Sequence, residues 1–79
     1  MLSKMRLKQM SIDRGELVYV PSEVALYTYD SNLNISDYSV LREPKNLLVT
    51  ESKNFELGVY FRGMTWYVKK RDVYKLEAS

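Results

Sequence analysis

The sequence predicts an all-β fold: a small barrel of five to seven short antiparallel strands with one 3₁₀ turn near residues 70–73. Three observations predict it. Apolar and polar residues alternate with period two through residues 55–68, the signature of half-buried strands. Short β-rich runs recur between turn signals elsewhere, and the only trace of a helical stripe is a faint one in residues 1–10. In a chain of 79 residues, strands this short must close or stack to hide their edges, and a strongly bent barrel does so economically.

The elements follow in order. Residues 1–11 ("MLSKMRLKQMS") alternate weakly, with Met5 and Leu7 on one side, and read as an edge strand or a loose tail ahead of a single domain, 12–79. "GELVYV" (15–20) is β-rich and stops at Pro21, which has no N–H for a ladder. "ALYTYD" (25–30) and "NLLVTES" (46–52) lie between the turn signals Asp30-Ser31-Asn32 and Ser52-Lys53-Asn54. "DYSVL" (37–41) is a short strand before Pro44, and the polar stretch 30–38 reads as a protruding loop. The strongest signal is a hairpin. Phe55, Leu57, Val59 and Phe61 share one face, as do Met64, Trp66 and Val68 after the pair Arg62-Gly63, whose glycine supplies positive φ. "RDVYKL" (71–76) begins with a 3₁₀ turn and ends as a strand.

These residues also carry a resemblance. "GELVYV" is similar to the glycine-led first core strand of SH3-like barrels. "RGMTWYVKKRDVYKL" resembles the end of bacterial SH3 domains, where a hairpin glycine, an aromatic-Val strand, a 3₁₀ turn and a final Tyr or Leu follow in that order. "ALYTYD" is similar to the Ala-Leu-Tyr stretch of eukaryotic SH3 domains, although here Gly15 precedes it. The resemblance covers about residues 12–77 and implies the barrel. The paired tryptophans and the proline of the polyproline groove are missing, with Lys69 and Lys70 near that proline's place. In overall look the chain also resembles small accessory proteins of tailed phages.

Composition narrows the chemistry. The chain is 46 % hydrophobic and 28 % charged, as in ordinary globular domains, and carries seven Tyr, two Phe and one Trp. Aromatics fill a small core at little rotamer cost. Cysteine and histidine are absent, which removes disulfides, thiolate nucleophiles, the usual zinc sites and imidazole bases. A small exported domain usually has disulfides, so a cytoplasmic setting is expected (the host cytoplasm, if the chain is phage-encoded). No apolar run approaches the ~20 residues of a membrane span, and the cationic start has no apolar segment after it, so neither a membrane protein nor a secretory signal is expected. The formal charge of +2 does not by itself imply a nucleic-acid partner.

Two groups of residues are candidate sites. With Trp66 and Val68 inward, Tyr60, Arg62, Tyr67 and Lys69 share the outward hairpin face, and Lys70 and Arg71 occupy the turn beyond. Cations interleaved with tyrosines can dock an acidic protein surface, or stack bases and neutralise phosphates. They can also simply cover the pleat of a two-stranded ribbon. Tyr27, Tyr29 and Tyr38 form a second group, either an aromatic lip around a groove or packing for the loop. Asp30, Asn32 and Asn34 are spaced like the start of an EF-hand loop, but Ile35 and Leu41 stand where that loop needs glycine and glutamate. No metal or cofactor is expected. The ten carboxylates form no close pair on a strand face, and no nucleophile elbow or phosphate-cradling glycine loop is present, so an enzyme is not expected.

The sequence therefore points to a non-enzymatic module that binds a protein through the basic-aromatic hairpin face. Nucleic-acid binding by the same face is one alternative. Self-association through an exposed edge, the N-terminal strand or the 46–51 strand, is another.

Overall fold

The computed structural model describes residues 12–76. Seven strands follow one another: β1 (Leu17–Val20), β2 (Ala25–Tyr29), β3 (Ile35–Val40), β4 (Lys45–Ser52), β5 (Glu56–Phe61), β6 (Met64–Lys69) and β7 (Tyr74–Lys75), with one 3₁₀ turn, Lys70–Asp72, between the last two. They form one antiparallel sheet in the order β3-β2-β6-β5-β4-β1-β7. The centre is a meander, β4-β5-β6, whose neighbours in sequence are neighbours in space.

The expected hairpin is formed by β5 and β6. Arg62 and Gly63, at φ of 52° and 80°, make the two-residue turn, with Phe61 opposite Met64 and Glu56 opposite Lys69. Two positive φ values match the right-handed twist of the strands on either side.

One face of the sheet encloses the core. Val18 and Val20 of β1, Leu26 of β2, Leu47 and Val49 of β4, Leu57, Val59 and Phe61 of β5, and Trp66 and Val68 of β6 form one cluster. Ile12, Leu41 and Val73 join it from the connections. Strands from both halves of the sheet order meet in this cluster, so the sheet bends around it. The Trp66 indole is accommodated because its Nε1–H donates to the Phe61 carbonyl at 3.0 Å, and its ring meets Phe61 edge-on. Tyrosine takes almost no part: the core is aliphatic, completed by one Phe and the Trp.

Some expectations need correction. Phe55 does not continue the buried face of β5; it lies in the turn before the strand and is 84 % exposed. Met64 is also exposed, beside the hairpin turn where the core ends. Residues 35–38 belong to β3 rather than to a loop, which is confined to 30–34. In that loop Asp30 Oδ1 accepts the Asn32 and Asn34 amides at 2.9 and 3.0 Å, so its carboxylate is used to close the turn. The 46–51 strand is interior, between β5 and β1; among the described residues the edges are β3 and the two-residue β7. The N-terminal strand or tail, residues 1–11, lies outside the described residues.

Candidate functional site: the outer sheet face

Strand alternation sends the partner of every core residue to the other face, and cross-strand register decides what it meets there. Tyr19 sits between the buried Val18 and Val20, opposite Tyr74 of β7, with the two rings 6.2 Å apart. Tyr60 lies between the buried Val59 and Phe61, and Tyr67 between Trp66 and Val68. Tyr27 and Tyr29 alternate with Leu26 and Thr28, and Tyr38 stands directly opposite Tyr27. All seven tyrosines are thus on the face turned away from the core. Their amphipathic rings cover the pleat and keep their hydroxyls within reach of water or a polar partner.

The outer face has two parts. The first is a row across three strands. Leu17 of β1 stands opposite Leu48 of β4, which stands opposite Tyr60 of β5. They are 49, 45 and 52 % exposed, side by side on the solvent side. Singly such residues are ordinary; in register they form an apolar stripe.

The second part is a tyrosine–carboxylate cluster. Tyr67 of β6 pairs with Tyr27 of β2 on one side and Gly58 of β5 on the other. A Cβ at position 58 would lie 2.8 Å from Glu51 Cγ and 3.3 Å from Tyr67 Cε1, so the ring and the Glu51 side chain occupy the space that glycine leaves. The Tyr67 hydroxyl donates to Glu51 Oε2. The Tyr27 and Tyr29 hydroxyls both donate to Glu56 Oε1, at 2.7 and 2.8 Å. The rings of Tyr27 and Tyr29 meet edge-on at 5.7 Å, and those of Tyr29 and Tyr67 are tilted at 5.2 Å. Two ammonium groups sit over these rings: Lys69 Nζ is 5.5 Å from the Tyr27 centroid, and Lys53 Nζ is 4.9 Å from that of Tyr67.

Proton affinity follows from this arrangement. Burial first, and the bond to Glu56 second, hold the Tyr27 hydroxyl protonated far above the usual tyrosine range. The bond to Glu56 raises Tyr29. The bond to Glu51, aided by burial, pushes Tyr67 up to about 12. An anion formed beside an acceptor carboxylate would repel it and lose the hydrogen bond.

The six residues of the expected basic-aromatic patch are dispersed. Arg62 is in the hairpin turn with its guanidinium 4.9 Å from the Phe61 centroid. Lys70 and Arg71 are at the opposite end of β6, where the Lys70 amide donates to the Phe55 carbonyl and Arg71 approaches Asp72 at 3.6 Å. About 17 Å of strand separates these ends. Tyr67 and Lys69 join Tyr27 and Tyr29 instead, so one cluster draws on both expected groups; Tyr38 borders it, exposed on β3. Glu51, Lys53, Glu56 and Gly58 complete the cluster, and Leu17 and Leu48 the stripe.

Among the described residues no group of three or more His, Cys, Asp and Glu side chains is placed to hold a metal ion, and no helix is long and apolar enough to cross a membrane. Comparisons with protein-family models, curated proteins and solved structures find no match to this chain.

Proposed function

We propose that this chain is a binding module that contacts a protein partner through the outer face of its sheet, centred on the Leu17–Leu48–Tyr60 stripe. The observation that carries this reading is the exposed Tyr60 in register with Leu48 and Leu17, aliphatic side chains left in water on the face turned away from the core. Tyrosine gives large contact area at low conformational cost, and such residues dominate the energetics of protein interfaces. Charge defines the partner further. The carboxylates of this face, Glu51 and Glu56, are taken up by tyrosine hydroxyls, whereas the ammonium groups of Lys53 and Lys69 lie over its tyrosine rings. The matching surface is an apolar patch with carboxylates at its rim.

Affinity capture from the organism's own lysate tests this reading. Leu48→Ser and Tyr60→Ser should each lose the captured protein, while Asn32→Ser, on the remote β2–β3 loop, should retain it. The complex should lose little affinity between low and physiological salt, as aromatic-anchored contacts do. Capture that is indifferent to Leu48 and Tyr60, or recovery of nucleic acid that salt abolishes, would contradict the reading.

A second reading is favoured by β3. This six-residue edge strand exposes Ile35, Tyr38 and Val40 and carries neither Pro nor Lys to discourage pairing. A second copy joined edge to edge through β3 would give a concentration-dependent dimer in sedimentation equilibrium, and Val40→Lys should dissolve it. A monomer at all concentrations would remove this reading.

A further inference from the structure

The tyrosine–carboxylate cluster already holds a cation. Lys53 projects from the β4–β5 turn, where its own amide donates to the Glu56 carbonyl at 2.9 Å. Its ammonium lies 4.9 Å from the Tyr67 centroid and 5.9 Å from that of Tyr29, two rings inclined at 60° to each other. Glu56 Oε2 closes a third side at 3.9 Å. Two π-faces and a carboxylate around one positive nitrogen are the elements that recognise alkylammonium groups.

We propose that Tyr29, Tyr67 and Glu56 form a cation cage that binds an alkylammonium group, and that Lys53 is its internal occupant, displaced when a ligand enters. This inference goes beyond the contact stripe and does not rest on it. Three observations specify the ligand. The Lys53 nitrogen is beyond hydrogen-bond distance of Glu56, so the cage holds charge without needing N–H donors. A quaternary nitrogen, kept at a similar distance by its methyl groups, therefore fits as well as an ammonium does. Glu56 is fixed by two tyrosine hydroxyls and Tyr67 by Glu51, so the walls are built before a ligand arrives. The Lys53 side chain is 47 % exposed on a turn, with open solvent to move into.

The test removes the occupant and supplies a substitute. Wild-type protein and Lys53→Ala are titrated with tetramethylammonium chloride against sodium chloride of equal ionic strength, following the ring protons of Tyr29 and Tyr67 by NMR. Saturable shifts at both rings are expected, with binding about five-fold tighter in Lys53→Ala because the tethered competitor is gone. Glu56→Gln in the Lys53→Ala background keeps the shape of the cage and should abolish most of the binding. A dispersed amide spectrum serves as the check on folding for each variant. Choline and N-acetyl-trimethyl-lysine methylamide then separate a small-molecule ligand from a modified protein side chain by which of them binds tighter. Shifts that sodium chloride reproduces, equal binding by wild type and Lys53→Ala, or undiminished binding after Glu56→Gln would each overturn the proposal. None of these outcomes bears on capture through Leu48 and Tyr60, so the two readings fail separately.

Discussion

Tyr67 is fixed from four sides on a face that sequence alternation alone would leave to water. Its ring lies over Gly58, its hydroxyl is held by Glu51, Tyr29 tilts against it and the Lys53 ammonium sits above it. Gly58→Ala should push the ring or the Glu51 side chain aside, since the new methyl would also stand 2.9 Å from Thr50 Oγ1. A loss of about 1–3 kcal/mol in urea denaturation is expected, with displaced Tyr67 ring resonances. The hydroxyls add a pH dependence. In the unfolded chain tyrosines ionise near pH 10, whereas Tyr67 in the folded protein holds its proton to about 12 and Tyr27 and Tyr29 are raised too. Above pH 10 the unfolded state has released protons that the folded state keeps, so this stabilisation is complete below that pH and declines as pH rises through about 12. Urea midpoints measured across this window should fall with pH, and Glu51→Gln should make the fall shallower. A flat profile would show that the hydroxyls are not held as described.

At the scale of elements, the β5–β6 hairpin organises both faces. Its turn has positive φ at both positions, and only one is glycine. Gly63→Ala should cost about 1–2 kcal/mol from backbone strain alone, because a Cβ there meets no atom within 4 Å. Arg62→Asn should stabilise by up to about 1 kcal/mol, since asparagine tolerates the left-handed conformation. Thermal unfolding of the two variants checks both signs. This hairpin was readable in the sequence because Leu57, Val59 and Phe61 alternate without interruption up to Arg62-Gly63, and Trp66 and Val68 resume the pattern. Phe55 misled because it keeps the period but precedes Glu56, the first residue held in the ladder. The cluster was less legible. Alternation turns Glu56 and Tyr67 outward, but their meeting with Tyr27 and Tyr29 requires β2 to lie beside β6, far from it in sequence. That neighbour relation is a pairing between strands distant in sequence, and no local period records it. Leu48 was hidden for a related reason: between Leu47 and Val49 it gives an unbroken apolar run, so nothing marks which of the three faces water.

At the scale of the molecule, the aromatic residues are divided by chemistry. Trp66 and Phe61 enter the core, where the single indole donor finds a carbonyl; the tyrosines line the other face of the sheet, Tyr27 alone of them buried there, and their hydroxyls find carboxylates or water, while Phe55 is left exposed in the turn before β5. The remaining core is a small set of aliphatic side chains, several of them with no exposure at all. A domain of this size has little stability in reserve, so one cavity is costly. Leu57→Ala, at the first fully buried position of β5, should destabilise by about 2–5 kcal/mol and leave the fold only partly populated at physiological temperature, as circular dichroism melting would record. The division between inside and outside aromatics underlies both the contact stripe and the cation cage. It is tested most directly by NMR line broadening from a soluble, neutral gadolinium chelate. The rings of Tyr38, Tyr60 and Tyr74 should broaden strongly while the Trp66 indole and the Val68 methyls stay sharp. A broadened Trp66 beside a protected Tyr60 would contradict the account.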